Sequence, residues 1–258
     1  MHYRIDEYGR RVSADTHPPK ADKFILFYGC SFTYGFGVQD NETLPAYVGS
    51  LTAEYQPYNY GFGGFGPFDV LAKIETADFE HEVKEKNGIS VYLFINGHIE
   101  RLAGSMGTTR WSEGSFTYYE KDVSGVMVRK GTFESGRPWI TRAYKILGRS
   151  RLLQRLRIDF PPRFTDAHGA LLADTIEAME RGFKRHYPQG QFVMVIYPNS
   201  SMARLFLSKL AEKNIKVLDY TNLFDPELQE YKIRGERHPT ALAYRTIARK
   251  LVEDLNLK

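Results

Sequence analysis

The sequence predicts an α/β domain in three layers, a parallel central sheet with helices on both faces, and three observations predict it. The apolar runs 24–28 (FILFY), 91–95 (VYLFI) and 192–197 (FVMVIY) are continuous rather than alternating, as in strands covered on both faces. Stretches with helical spacing separate them, so strand and helix alternate along the chain. Turn residues stand where the strands end, beginning with Gly29-Cys30-Ser31. The 258 residues are enough for one large domain with a full hydrophobic core.

Residues 1–22 read as an N-terminal extension and 23–258 as a single domain. Strand 24–28 leads through a tight turn with Gly35 and Gly37 into a helical pattern over 42–55. Residues 57–60 read as a short second strand, followed by the glycine-rich GFGGFGPF and a helix over 68–86 that Asn87-Gly88 closes. VYLFI is the third sheet strand. The alternation then breaks over about 97–164, where SFTYYE and GVMVRKGTF read as a β-hairpin and 141–156 as a basic helix. A helix over 168–186, the strand 192–197, a helix over 201–213, the strand IKVLDY and a C-terminal helix over 239–255 complete the series. The stretch 97–164 is thus an insertion leaving the carboxyl end of a strand, where an open α/β sheet gathers its functional loops. It reads either as a lid or substrate platform, or as a packed edge subdomain.

Composition narrows the function classes. Apolar residues are 42% and charged residues 26%, which fits a globular protein and neither a disordered nor a fibrous one. No apolar run approaches the roughly 20 residues that cross a bilayer, and the opening MHYRIDEYGRRV lacks the apolar stretch of a secretory leader. One cysteine excludes an intramolecular disulfide, and the net charge of +4 is too mild for a nucleic-acid binder without a concentrated patch. No metal site is expected, because His81, His98, His168 and His186 show no paired ligand spacing.

Ser31 stands at the end of the first strand, where a turn presents a hydroxyl at the sheet edge; taken alone it is equally a turn or capping serine. G-C-S-F-T is not the G-x-S-x-G elbow of α/β-hydrolases, since Thr33 takes the place of the last glycine. A serine nucleophile needs a base, and His238, just ahead of the last helix, returns to the same sheet edge with Glu236 beside it. Alone, His238 reads as a surface or capping histidine. Gly61-Phe62-Gly63-Gly64-Phe65-Gly66 fits the spacing of a dinucleotide fingerprint, but no acidic residue stands at a strand end about 20 residues on. Cys30 is a second nucleophile candidate or a packed core thiol.

Four blocks in chain order resemble the SGNH (GDSL-type) hydrolase superfamily. Gly29-Cys30-Ser31-Phe32-Thr33 with Gly35 resembles G-D-S-x-(S/T)-x-G, with Cys30 where the family has aspartate. Asn59 to Gly64 resembles N-x-x-x-x-G, Asn96 resembles the asparagine of G-x-N-D without its flanking Gly and Asp, and His238-Pro239 resembles the end of D-x-x-H-P. The resemblance implies a flavodoxin-like SGNH-hydrolase fold, Ser31 as nucleophile, His238 as general base and no cofactor. It also implies an oxyanion hole from the amides of Ser31 and Gly64 and the side chain of Asn96. The position three before His238 is Gly235, so the acid is Glu236, or a Ser–His dyad rests on a backbone carbonyl, or Asp225 serves.

The expected activity is hydrolysis of a carboxylic ester of a lipid, a small acyl group or an acetylated carbohydrate. O-acyl transfer at the same site is the near alternative, and a non-catalytic binding protein on the same scaffold the distant one. Within the insertion, Arg142, Lys145, Arg149, Arg151, Arg155, Arg157 and Arg163 alternate with leucines, which suits contact with anionic lipid head groups or an acidic polymer over 142–163, or a solvated face. Trp111, Tyr118, Tyr119, Phe133 and Trp139 form an acyl or sugar platform or the small core of the insertion, and His98 and Arg101 are placed to reach the substrate mouth.

Overall fold

The computed structural model describes residues 2–13 and 21–257. Strand β1 (Lys23–Tyr28) runs into α1 (Ser31–Tyr34) and α2 (Leu44–Leu51). Next come β2 (Tyr55–Asn59), α3 (Pro67–Thr76), α4 (Phe79–Glu82), β3 (Gly88–Phe94), α5 (Gly97–Ala103) and α6 (Met106–Ser112). The hairpin of β4 (Thr117–Lys121) and β5 (Met127–Thr132) precedes α7 (Phe133–Gly136), α8 (Pro138–Gly148) and α9 (Arg151–Arg155). Then follow α10 (Asp166–His186), β6 (Gln191–Ile196), α11 (Leu207–Glu212), β7 (Lys216–Asp219) and α12 (Ala241–Asp254).

Five strands form a parallel sheet in the order β2-β1-β3-β6-β7. The continuous apolar runs supply its centre, and every residue of β3 is buried. Alternate side chains feed two cores. Ile25, Phe27, Val91, Leu93 and Val193 meet the apolar stripes of α2 and α12 on one face. Phe24, Leu26, Tyr92, Phe94 and Met194 meet α3 and α10 on the other. The chain passes from β1 outward to β2 and then back across to β3, so the carboxyl ends of β1 and β3 flank the topological switch point where such sheets bind ligands. Ser31 and Asn96 follow those two strands.

Four expected helices are shorter than their periodicity, each for a local reason. The pattern over 42–55 yields only α2, because the Thr43 hydroxyl accepts from the Ala46 amide at 3.2 Å and starts the helix there. The pattern over 68–86 breaks after Thr76, and α4 starts afresh where the Asp78 amide donates to Glu82 Oε1 at 3.2 Å. The basic helix over 141–156 divides at Arg149-Ser150, Ser150 capping α9. The stretch 201–213 divides into a 3₁₀ turn, Ser201–Leu205, and α11.

Residues 2–13 carry a feature without a periodic signal. Arg11, 1% exposed, pairs with Asp40 at 2.9 Å and donates to the carbonyls of Tyr34, Gly35 and Val38. It thereby satisfies the backbone of the loop that follows α1. Its neighbour Arg10 donates to the Glu82 carbonyl at 2.7 Å and to the Tyr60 hydroxyl at 3.1 Å, fastening the same segment to the end of β2.

Candidate active site

Ser31 is the first residue of α1, and its amide has no acceptor among the described residues, as expected of a helix N-terminus. Gly29 is required just before it: a Cβ there would stand 2.3 Å from Thr33 Oγ1 and 3.1 Å from the Leu93 carbonyl oxygen. Cys30, fully buried, turns its thiol into the core rather than the cleft. The order Gly-Cys-Ser therefore delivers one reactive side chain to the surface, the Ser31 hydroxyl.

His238 meets that hydroxyl, Nε2 to Ser31 Oγ at 3.0 Å. The loop ahead of α12 folds back on itself to bring this about. The Ile233 amide donates to the His238 carbonyl and the Glu236 amide to the Ile233 carbonyl, with Gly235 at positive φ in the turn. The same turn brings Glu236 Oε2 to 3.1 Å from His238 Nδ1. A carboxylate only accepts, so Nδ1 carries the ring proton and Nε2 is left to accept from Ser31. Phe32 and Phe36 pack on the imidazole at ring-centroid distances of 5.5 Å and 4.9 Å and fix its plane. The Asp225 carboxylate accepts from the Glu227 amide at 2.9 Å.

Gly64 has φ +84°, a conformation that favours glycine, and its amide has no acceptor among the described residues. Asn59, 1% exposed, holds this loop against α1: Oδ1 accepts from the Gly61 amide at 3.0 Å, and Nδ2 donates to the Tyr34 carbonyl at 3.3 Å. Arg101 holds it from the other side through the Phe65 carbonyl, 2.9 Å from Nη1. Asn96 Oδ1 accepts from the Met202 amide at 3.0 Å, which fixes the amide plane, and Nδ2 makes only a long 3.4 Å bond to the Asn199 carbonyl. A cleft of about 410 Å³ adjoins Asn96, lined by Phe32, Tyr197, Asn199, Lys232 and Arg237. Among the described residues, no three His, Cys, Asp or Glu side chains stand close enough to hold a metal ion.

The insertion reaches this site through Trp111 on α6. A Cβ placed on Gly64 would lie 3.3 Å from the Trp111 ring, which is itself half exposed and packs edge-on to Phe116. Tyr118, Tyr119 and Phe133 instead pack around Phe68 of α3 and join the main core on that face of the sheet. Asp69 joins this core to the glycine loop, accepting from the amides of Gly66 and Thr117 at 2.9 Å each, and burial raises its carboxyl above the usual range.

His98 does not reach the mouth. It is fully buried, with Nδ1 2.6 Å from the Tyr92 hydroxyl and Nε2 unpartnered, and burial pushes its pKa well below the usual histidine value. An unfolded histidine takes up a proton near pH 6.5 while this one stays neutral, so the unfolded state binds more protons below that pH and stability falls as pH falls. The expected loss below pH 6.5 is up to about 1.4 kcal/mol per pH unit from this group. Urea unfolding of His98→Phe at successive pH values should show a shallower acid slope than wild type, and parallel slopes would refute the assignment.

No family model matches the sequence, and no curated protein does. Solved structures do match. One is described as a lipolytic protein of the G-D-S-L family from Desulfitobacterium hafniense, with 15% identity over 90% of this chain and 98% of that one and a TM-score of 0.50. A catalytic mutant of an acetylxylan esterase from Geobacillus stearothermophilus gives 12% identity, 93% and 97% coverage, and 0.51. An acetylxylan esterase from the rumen bacterium Butyrivibrio proteoclasticus gives 11% identity over 92% of this chain and 64% of that one, at 0.52. Likeness at such identities is likeness of fold, and the three-layer SGNH-hydrolase architecture expected from the sequence is the one found.

Proposed function

We propose that this chain, with its SGNH-hydrolase fold, is a serine esterase that cleaves a carboxylic ester through an acyl-enzyme on Ser31. The observation that carries the reading is the relay of contacts from Ser31 Oγ to His238 Nε2 at 3.0 Å and from His238 Nδ1 to Glu236 at 3.1 Å. Ser31 Oγ attacks the ester carbonyl as its proton passes to Nε2. The oxyanion of the tetrahedral intermediate is stabilised by the Ser31 and Gly64 amides and Asn96 Nδ2, and a single such donor is typically worth about 10²–10³ in rate. The imidazolium then protonates the departing alcohol. Water, deprotonated by the same ring, attacks the acyl-enzyme, and the ring returns that proton to Ser31 Oγ as the acid is released.

The exposed rings of Phe36, Phe62 and Trp111 near the nucleophile and the glycine loop suit an apolar acyl chain or a sugar face. Acetylxylan esterases among the structural neighbours are consistent with an acetylated carbohydrate as the substrate class. The reading is tested by turnover of a p-nitrophenyl ester series from acetate to long acyl chains, together with mass-spectrometric location of a fluorophosphonate adduct. Turnover with the adduct on Ser31 is expected. A folded protein that neither turns over nor labels refutes the esterase and points to a binding function; labelling without hydrolysis points to transfer onto an acceptor alcohol.

Glu236 is 45% exposed, so water screens its contact with the ring. Glu236→Gln is accordingly expected to lower kcat/KM by about 10–100-fold, far less than the ~10⁴ typical when a buried triad carboxylate becomes an amide. Steady-state kinetics of the variant check this, and an unchanged kcat/KM would reduce the relay to a serine–histidine dyad.

A further inference from the structure

Helix α8 is amphipathic in the reverse sense. Trp139, Ile140, Ala143, Ile146 and Leu147 recur at i, i+1, i+4, i+7 and i+8 and so form one stripe, yet that stripe faces solvent. Trp139 is 81% exposed and Ile146 63%, whereas the residues α8 buries are Thr141 and Gly148. The apolar surface continues past the α8–α9 break through Leu152, 65% exposed, and Leu156, 58%. Arg142, Arg149, Arg151, Arg155 and Arg157 flank it, all exposed, and their side chains form no ion pair among the described residues. From 137 to 158 the sequence holds no acidic residue.

We propose that α8 and α9 form a docking surface for an anionic lipid bilayer, the apolar side chains entering the headgroup–acyl boundary and the arginines meeting lipid phosphates. Exposed apolar residues ringed by cations are what such an interface rewards. A second copy of the chain fits worse, because a self-paired face would set arginine against arginine. A soluble polyanion would satisfy the arginines and leave the tryptophan, isoleucines and leucines in water. The proposal does not depend on the esterase reading.

The test is co-sedimentation of the full chain with vesicles of phosphatidylcholine containing phosphatidylglycerol, against phosphatidylcholine alone. The chain has 2 Trp, so Trp111→Phe leaves Trp139 as the sole tryptophan, excited at the red edge of absorption where tyrosine does not contribute. Binding to the anionic vesicles with a blue shift of Trp139 emission is expected, reversed by salt. Both Arg149→Glu/Arg155→Glu and Leu152→Ser/Leu156→Ser, each verified as folded by circular dichroism, should weaken binding at least about tenfold. Absence of vesicle binding overturns the proposal. So does light scattering that shows a dimer dissociated by the leucine changes, or heparin binding that the leucine changes leave intact while vesicles are ignored.

Discussion

Alanine at Ser31 is expected to lower ester turnover by about 10⁴-fold or more while leaving thermal stability unchanged. The size follows from what is removed. Without Oγ there is no acyl-enzyme, His238 loses the group 3.0 Å from Nε2, and only the oxyanion donors and the binding surface remain to favour the transition state. The stability expectation follows from position. Ser31 is partly exposed at the first turn of α1, and its side chain supplies no cap there. Paired kcat/KM and melting measurements check both halves. Residual turnover within tenfold of wild type would transfer the nucleophile elsewhere, and the buried Cys30 thiol is not placed to take it.

Removing the guanidinium of Arg11 is expected to have the largest effect on stability of any single change in the N-terminal segment. Arg11→Ala leaves Asp40 to Arg4, which is 3.2 Å away and half exposed, and strips donors from the carbonyls of Tyr34, Gly35 and Val38. Losing these buried charge-assisted bonds costs about 3 kcal/mol, which in a chain of this size lowers the melting temperature by roughly 10 °C. The loop so loosened carries Phe36, whose ring lies 4.9 Å from that of His238, so turnover falls as well. Asp40→Asn should cost less, because Arg11 keeps its three carbonyls. A melting temperature within about 2 °C of wild type would show that water replaces the arginine at little cost.

The sheet was legible because burial on both faces writes strands as unbroken apolar runs, and 24–28, 91–95 and 192–197 each lie within a residue or a few of a strand of the central sheet. Ser31 and His238 were legible from their places after β1 and before α12, and the structure brings them together. Which carboxylate stands beside the ring was ambiguous because the turn that carries Glu236 there has Gly235 at positive φ, a conformation that carboxylate spacing alone does not encode. Arg11 escaped notice because three of its partners are carbonyl oxygens, which carry no side-chain signature, and its carboxylate partner Asp40 lies 29 positions along the chain. His98 misled for the opposite reason: an ionisable residue just past Asn96 looked like part of the mouth, while α5 turns it inward against Tyr92 and Phe94.

Ser31 and His238 touch across 207 positions of chain. Contacts of such sequence separation close late, after the entropy of the intervening loop has been overcome by the rest of the sheet. On the ribosome, β1 and its serine are made long before the segment ahead of α12 exists, and a domain generally folds as a unit. The hydroxyl therefore waits without its histidine partner until the segment ahead of α12 is made and packed. No fragment of this domain lacking its final segment can hold the contact between Ser31 and His238, so on the proposed mechanism regained turnover after dilution from denaturant reports completion of the whole fold.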